Sequence, residues 1–406
     1  MKRRIYFFLI IFLLSVIVSC SRKNISILKP EETKIRWSKE NSLTKTETVI
    51  LSDDMDKQSL ISAAENSLRY YNKKKSEDAV FFGADSYTVS SVKNSIIDFK
   101  TKLEEMDLTD TFYNYIRDNY LVYKSAADTV LFTGYYEASL KGSLIKSDTY
   151  LYPIYSKPDD LYKIELSRFP IYSKIKDAGA PKQLRCRIGN EKSIVPYYTR
   201  DEIDFEKKLE NKNLEIVWCD SLIDIFFLQI QGSGIVNLDN GDSMRINYCD
   251  ENGHPYKPIG KYMIEKKALS KDNVSMQSIR TYLNTHPEEV RDIFNYNPSY
   301  VFFRKVDEGP LGNIEVPLTP LRSIALDSRI FPKGALCFIE TFKPVFDDNN
   351  NILEWKKCFR FVFNQDTGGA IVGPGRTDIF TGFGPQSEII AGHQKHFGRL
   401  YFLMLK

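Results

Sequence analysis

The strongest constraint on the fold of this chain is a glycine-rich stretch near its end. Residues 366–384 contain six glycines and two aspartates, Asp366 and Asp378. Glycines at this density weaken an ordinary strand, but they permit sharp turns and a close approach between backbone and ligand. The pattern therefore predicts tight turns that present two carboxylates at a ligand site. The plainer alternative is that both aspartates act as turn residues or caps.

The start of the chain predicts export. Three basic residues precede an apolar run at 5–18, which is short for a membrane span and typical of a secretory signal. Residues 17–20 (IVSC) resemble a bacterial lipobox, which implies cleavage before Cys20 and lipidation of its thiol. Because Ser21 follows Cys20, we expect the protein to be lipid-anchored at the periplasmic face of the bacterial outer membrane.

Composition argues against several classes of function. Three of the 56 lysines and arginines lie in residues 1–19, which leaves 53 against 53 acidic residues. This balance lacks the basic excess of a nucleic-acid-binding protein, so no nucleic acid partner is expected. The five cysteines after Cys20 are widely spaced and odd in number, unlike a disulfide framework. His393 and His396 lack a convincing set of further ligands, so no metal site is predicted.

The composition and the hydrophobic periodicity of the sequence change along the chain. Apolar residues at helical spacing predict amphipathic helices at 56–75 and 92–119. From Thr129 onward, short runs rich in Tyr, Phe, Ile and Val predict a mainly β fold. Within it we expect strands at 224–231 and 233–238, a hairpin turn at 239–242, and short helices at 275–283 and 287–294.

The residues first suggest a carbohydrate-active enzyme. Aromatic faces stack on sugar rings, and a positioned carboxyl can protonate the leaving oxygen of a glycosidic bond. Free aspartate has a pKa of about 3.9, so burial or a like-charged neighbour must raise it, and Asp366 and Asp378 are candidates for such a pair. Residues 366–368 (DTG) also match aspartic proteases, but that dyad needs two such triplets and the chain has one.

Seven ordered blocks within residues 129–406 resemble the MltA-type membrane-bound lytic murein transglycosylases. They are FTGYYE at 132–137, PYYTR at 196–200, FLQIQGSG at 227–234, NGHPY at 252–256, NPSYVFF at 297–303, VPLTP at 316–320 and the closing block 365–398. The resemblance implies a double-psi β-barrel domain with an inserted second β domain and a groove for glycan between them.

Together these patterns predict a mainly β protein with a helical N-terminal segment. The expected division is a signal peptide at 1–19, a lipid-anchored tether at 20–47, a helical segment at 48–128, the barrel at 129–150 and 260–406, and the inserted domain at 151–259.

The resemblance also implies the chemistry. Three aspartates of the family pattern are similar to Asp327, Asp366 and Asp378, of which Asp378 is the catalytic one. It protonates the oxygen that leaves C1 of N-acetylmuramic acid and then takes a proton from the C6 hydroxyl of the same sugar, which closes a 1,6-anhydro ring. Asp366 raises the pKa of Asp378 and orients it. Such an exotransglycosylase needs no cofactor and no metal.

Further roles follow from the same resemblance. The residues expected to bind substrate are Thr133, Tyr135, Tyr136, Glu137, Gln229, Gln231, Gly232, Ser233, Gly234 and Asp327. Core packing is the alternative for the two tyrosines, and loop stabilisation for Asp327. The implied partners are the glycan strands of peptidoglycan, outer-membrane lipid through Cys20 and, as candidates, cell-wall synthases. A glycan hydrolase that uses Asp378 with Asp366 or Glu137, and a non-catalytic wall-binding lipoprotein, remain as alternatives.

Overall fold

The computed structural model describes residues 37–47, 49–176 and 180–406, and residues 37–406 form one compact unit. The predicted signal peptide, most of the predicted tether and Cys20 lie outside the described residues. In the described part, no helix combines the length and the apolar character of a bilayer span.

The described residues form eighteen strands and ten α-helices. The strands are β1 Leu43–Thr46, β2 Ala79–Phe82, β3 Asp85–Thr88, β4 Tyr120–Ser125, β5 Val130–Ser143, β6 Tyr152–Tyr155, β7 Tyr162–Glu165, β8 Gln183–Ile188, β9 Ile194–Pro196, β10 Glu215–Cys219, β11 Ser233–Leu238, β12 Ser243–Glu251, β13 Val301–Val306, β14 Ser323–Ala325, β15 Leu336–Phe346, β16 Ile352–Asp366, β17 Arg376–Phe383 and β18 Lys395–Leu405. The helices are α1 Lys57–Tyr71, α2 Val89–Glu105, α3 Asp110–Asn119, α4 Tyr172–Ile175, α5 Arg200–Asp204, α6 Leu222–Gln231, α7 Ile259–Glu265, α8 Met276–Thr285, α9 Val290–Asn295 and α10 Pro385–His393.

Six strands of the largest sheet form a series of pairings that returns to its start. β5 pairs with β17, β17 with β14, β14 with β16, β16 with β15, β15 with β18, and β18 again with β5. These strands and the N-terminal helices share one apolar core, which contains the fully buried rings of Phe132, Phe338, Phe361, Phe363 and Phe402.

A second group of strands extends from the other half of β5. There β5 pairs with β11 and β10, β11 pairs with β12, and β12 pairs with β13. Helices α6, α7, α8 and α9 share a separate apolar cluster that includes Phe226, Phe227, Met263, Leu283 and Phe294. Strands β7, β8 and β9 form a small sheet of their own.

The predicted N-terminal helices are confirmed, with a break at 106–109 that separates α2 from α3. Asp56 and Thr88 cap α1 and α2 by accepting hydrogen bonds from the N–H groups of Ser59 and Ser91. Strand β1, within the segment predicted as a tether, pairs with β4, which in turn pairs with β18.

The predicted strand at 224–231 is wrong, because these residues form helix α6. Most residues of this run are apolar, so its periodicity does not distinguish a buried strand from a buried helix. The residues at the two ends of the run favour the helix. Ser221 caps the helix by accepting from the N–H of Asp224, and Gly232 ends it in the left-handed conformation with φ of 83°. The predicted strand at 233–238 and the hairpin turn after it are confirmed by the β11–β12 pair.

The chain is strand-rich but mixed α/β, so the expectation of a mainly β fold needs correction. Helices also occur beyond the N-terminal segment, and four of them, α6 to α9, lie between residues 222 and 295. The two short helices predicted at 275–283 and 287–294 are confirmed as α8 and as a proline-initiated turn that leads into α9.

A buried ion pair joins the N-terminal segment to the large sheet, and we expect it to dominate the stability of that junction. Arg322 and Asp53 have fully buried side chains and form two hydrogen bonds, of 2.6 and 2.9 Å. Arg322→Met would leave the Asp53 carboxylate buried without its partner. We expect a loss of about 3–5 kcal/mol in the free energy of unfolding, measured by urea denaturation.

The matched control is Arg69→Met, which breaks the half-exposed ion pair between Arg69 on α1 and Glu308. Water screens that pair, so we expect little change in the urea midpoint. Equal losses in the two variants would contradict a special role for the buried pair.

Candidate active site

Asp378 lies in the middle of the large sheet, on β17. Its register partners are Thr133 on β5 and Ala325 on β14. The hydroxyl of Thr133 donates a hydrogen bond to Oδ1 of Asp378. Nη2 of Arg376 donates to Oγ1 of Thr133 at 3.1 Å and lies 3.5 Å from Oδ1 of Asp378. One hydroxyl and one more distant cation therefore hold the carboxyl in place.

Asp366, the last residue of β16, is held by three donors. The phenol of Tyr135 donates to Oδ2 at 2.7 Å. The backbone N–H groups of Asn313 and Thr367 donate to Oδ1 at 2.9 and 2.8 Å. Nζ of Lys333 donates to the side-chain oxygen of Asn313 at 2.5 Å. A cation therefore binds the residue whose backbone N–H binds Asp366.

Ala325 brings the two carboxyl groups together. It pairs with Asp366 on one side and with Asp378 on the other, so the two aspartates occupy strands on either side of β14. Strand neighbours are about 4.8 Å apart, which puts the two backbones roughly 10 Å from each other. The side chain between them is only a methyl group, and the charge of Asp366 acts on the carboxyl of Asp378.

This environment makes both aspartates weaker acids than a free aspartate. Burial raises the pKa of Asp378 from 3.8 to about 6, with Arg376 opposing the rise and the charge of Asp366 adding to it. Burial also raises the pKa of Asp366 to about 6, against the effect of the hydrogen bond from Tyr135. The side chain of Asp378 is 22% exposed, so a proton on it can reach a bound ligand. Burial and Asp366 raise the pKa of Tyr135, which keeps its phenol a donor.

Asp327 does not join this pair but closes the loop after β16. Its carboxylate accepts from the N–H of Gly373 at 2.8 Å and from the Arg329 guanidinium at 2.7 and 2.8 Å. Burial alone would raise the pKa of Asp327, but these donors hold it below its ordinary value. A permanently ionised carboxylate suits a loop stabiliser.

Glu137 and Tyr136 also lie apart from the two aspartates. Glu137 is buried and accepts two hydrogen bonds from Arg245, at 2.7 and 3.3 Å. Burial raises the pKa of Glu137 and Arg245 opposes the rise. Tyr136 packs in the apolar cluster under β5 and β11, and its backbone N–H donates to the side chain of Gln231. Their predicted contacts with substrate stay predictions.

The predicted binding block at 229–234 forms the end of α6 and the start of β11. Gln229 is buried and accepts from Arg200 at 2.6 Å, while Ser233 is also buried. Gly234 packs tightly, because a Cβ there would lie 2.6 Å from Leu228 and 3.0 Å from the carbonyl of Ala138. Gly232 has open space around it. A role in binding glycan stays a prediction for the whole block.

Sequence reasoning missed several residues at this site. Arg376 could have been found, because residues two apart on a strand share a face and Arg376 precedes Asp378 by two. Asn313 contributes a backbone N–H, for which the sequence carries no signal. The pKa of Tyr256, on the loop after β12, is raised by burial and then by the charge of Asp378.

Comparison with known proteins gives matches over most of the chain. Residues 131–304 match the MltA specific insert domain, and residues 322–404 match the 3D domain. Membrane-bound lytic murein transglycosylase A of Escherichia coli K12 is 33% identical over 277 residues, which cover 68% of this chain and 65% of that protein. The protein of the same name from Vibrio cholerae is 30% identical over 282 residues, covering 68% and 66%.

Solved structures agree with the sequence relatives. A membrane-bound lytic murein transglycosylase from Agrobacterium tumefaciens has 28% identity and a TM-score of 0.72, with 90% of this chain and 98% of that chain covered. E. coli MltA with bound chitohexaose has 24% identity and a TM-score of 0.66, with coverage of 91% and 96%, and supports the fold alone. From both comparisons, the chain belongs to the MltA family of membrane-bound lytic murein transglycosylases and carries the MltA insert domain followed by a 3D domain.

Proposed function

We propose that this protein is a lytic transglycosylase of peptidoglycan. It cleaves the β-1,4 bond between N-acetylmuramic acid and N-acetylglucosamine and leaves 1,6-anhydromuramic acid ends, with Asp378 as the single acid and base. Murein is the substrate named for the relatives that are 30–33% identical. The observation that carries the proposal is a partly exposed aspartic acid, Asp378, whose pKa is raised to about 6.

A raised pKa is what the first step requires. The Asp378 carboxyl must still hold its proton near neutral pH in order to give it to the leaving glycosidic oxygen. Thr133 fixes one oxygen of the carboxyl, so the other oxygen is available to the glycan. As the C1–O bond breaks, the developing positive charge on the sugar is balanced by the new Asp378 carboxylate.

The second step uses the same group in reverse. The Asp378 carboxylate takes the proton from the C6 hydroxyl of the muramic acid while that oxygen bonds to C1, so the acid is regenerated and no water is consumed. No second catalytic carboxylate is needed. Glu137 is poorly suited to such a role, because Arg245 engages both of its oxygens and its side chain is fully buried. Asp366 acts as the charged neighbour of Asp378.

The proposal includes the architecture and the anchor. The closed series of six strand pairings supports a double-psi β-barrel built from residues 129–150 and 260–406, with residues 151–259 inserted. The relatives' designation as membrane-bound supports attachment through lipid on Cys20 at the periplasmic face of the outer membrane. The glycan strands of peptidoglycan would lie against Thr133, Tyr135 and the block at 229–234.

Mass spectrometry of the products released from purified peptidoglycan tests the reaction. We expect muropeptides that end in 1,6-anhydromuramic acid. Asp378→Asn should lower the rate of release by roughly 10²–10⁴-fold, because an amide cannot protonate the leaving oxygen. The variant should still bind sacculi, since its amide oxygen can accept from Thr133 as the carboxylate does.

Asp348→Asn, on an exposed hairpin, is the matched control and should keep full activity. Products one water heavier would assign the protein as a hydrolase instead. Intact sacculi with the unaltered protein would support a binding protein, and normal lysis by Asp378→Asn would rule out Asp378 as the acid.

The pH dependence of cleavage tests the role of Asp366. Activity should fall as pH rises through about 6, where Asp378 loses its proton. Asp366→Asn removes a neighbouring negative charge that raises the pKa of Asp378, so we expect the alkaline limb of the pH–rate profile to move to lower pH. Asp327→Asn removes a carboxylate that does not shift this pKa and should leave the limb in place. An unmoved limb in Asp366→Asn would contradict the coupling.

The same pKa shift predicts a change in stability with pH. The pKa of Asp378 in the folded protein is about 6, above its ordinary 3.8, so ionisation destabilises the fold as pH rises through about 6. Asp378→Asn lacks this penalty. Relative to the unaltered protein, we expect the variant to gain up to about 3 kcal/mol in unfolding free energy between pH 4 and pH 8. Urea denaturation at both pH values measures the gain, and Asp348→Asn should show none.

A further inference from the structure

The small sheet of β7, β8 and β9 turns its polar face toward the rest of the protein. Arg185 and Lys163 are register partners, and both form ion pairs with the buried carboxylate of Asp250, at 2.9 and 3.4 Å. Arg187, on the same face of β8, places its guanidinium 4.1 Å from the ring of Tyr198. A sheet at the surface of a protein normally packs its apolar face inward, so this orientation is reversed.

The opposite face of the same sheet is apolar and points outward. Register places Ile164 on β7 beside Leu184 on β8, and Ile188 on β8 beside Ile194 on β9. Tyr162 on β7 pairs with Cys186, which lies between Leu184 and Ile188 on the same face of β8. The exposed fractions are 41% for Leu184, 47% for Tyr162, 58% for Ile188 and 65% for Ile194. Single exposed apolar residues are common on proteins, but a set on one sheet face marks a surface that binds something.

The segment that forms this face is strongly basic. Residues 162–194 contain eight lysines and arginines against three acidic residues, although the whole chain has a net charge of only +3. Five exposed basic residues of this segment form no ion pair within the described part of the chain: Arg168, Lys174, Lys176, Lys182 and Lys192. Two further apolar side chains in the same segment, Phe169 and Ile171, are 50% and 52% exposed.

We propose that this apolar face, defined by Tyr162, Leu184, Ile188 and Ile194, docks on a bilayer surface with anionic headgroups. Aliphatic side chains that insert into the headgroup boundary, surrounded by uncompensated cations, are the combination that binds such surfaces. Sugar rings are a poorer match, because three of the four side chains, Leu184, Ile188 and Ile194, lack a flat ring for stacking. The contact would orient the body on the membrane independently of any lipid on Cys20, and it goes beyond the proposed enzymatic function.

Vesicle flotation tests this docking directly. The protein should begin at Ser21, which removes Cys20 and keeps the whole compact unit of residues 37–406. We expect it to float with vesicles of phosphatidylcholine and phosphatidylglycerol, and several-fold less with phosphatidylcholine alone. Raising the salt to about 0.5 M should weaken binding, because salt screens the attraction between lysines and headgroups.

Two sets of substitutions separate the apolar and the charged contributions. Ile188→Ser with Ile194→Ser should lower the partition coefficient by roughly tenfold or more. Lys174→Gln, Lys176→Gln and Lys182→Gln together should abolish the preference for anionic vesicles. Leu353→Ser is the matched control, because Leu353 is an aliphatic residue that is 65% exposed on a different hairpin. All variants should keep the urea midpoint of the unaltered protein, which shows that they fold.

Three outcomes would overturn the proposal. The unaltered protein could fail to float with anionic vesicles, or the Ile188/Ile194 double variant could float as well as the unaltered protein, or Leu353→Ser could lose as much binding as the double variant. Sedimentation velocity adds a fourth: a dimer that the double variant abolishes would assign the face to a second copy of the chain. None of these results bears on the cleavage reaction, so the two proposals fail separately.

Discussion

Strand β5 determines the geometry of this protein, because it hydrogen-bonds to both groups of strands. Its first half pairs with β17 and β18 and carries Thr133 and Tyr135 to the two aspartates. Its second half pairs with β11 and β10, where Gly142 faces both neighbours. A Cβ at Gly142 would lie 2.5 Å from Val236 and 3.0 Å from the carbonyl of Trp218, so only glycine allows the strands to approach this closely. A shift of β5 would disturb two apolar cores at once, and the site is therefore rigid where Thr133 holds Asp378.

The three aspartates differ in chemistry because they differ in donors. Asp327 accepts from a guanidinium and two backbone N–H groups, which outweigh burial and lower its pKa. Asp366 has three donors but no direct cation, and Asp378 has one hydroxyl and a cation at 3.5 Å, so burial prevails and raises the pKa of both. The fold thus lowers the pKa of one carboxyl group and raises the pKa of two others to about 6, so that these two hold a proton in mildly acidic solution. Like charges across Ala325 add to this effect, because they disfavour ionisation of both groups together.

The sequence predicted the residues of the site better than their surroundings. Dense glycines marked the loop between Asp366 and Asp378, and the resemblance to a known family predicted roles for both. Local signals also located α1, α2 and α8, where side-chain caps and helical periodicity agree. The same signals failed for α6, because a run with apolar residues at nearly every position has no clear period, and its ends at Ser221 and Gly232 mark it as a helix. Contacts that depend on register could not be predicted either. That Ala325 lies between two aspartates follows from pairings across 41 and 53 residues, which no local pattern contains.

The N-terminal segment, whose purpose the sequence left open, supports the strands that carry the aspartates. Gln365, the residue before Asp366, donates from its amide to the carbonyl of Ala63 and to Ser67 on α1, and it accepts from Ser323 on β14. Arg322, which precedes β14, binds Asp53 through its fully buried guanidinium. Every one of these groups is buried, so each hydrogen bond is costly to break. Helix α1 and Asp53 therefore hold β14 and the end of β16 in place. Because β14 lies between Asp366 on β16 and Asp378 on β17, the segment serves as a scaffold for the two aspartates.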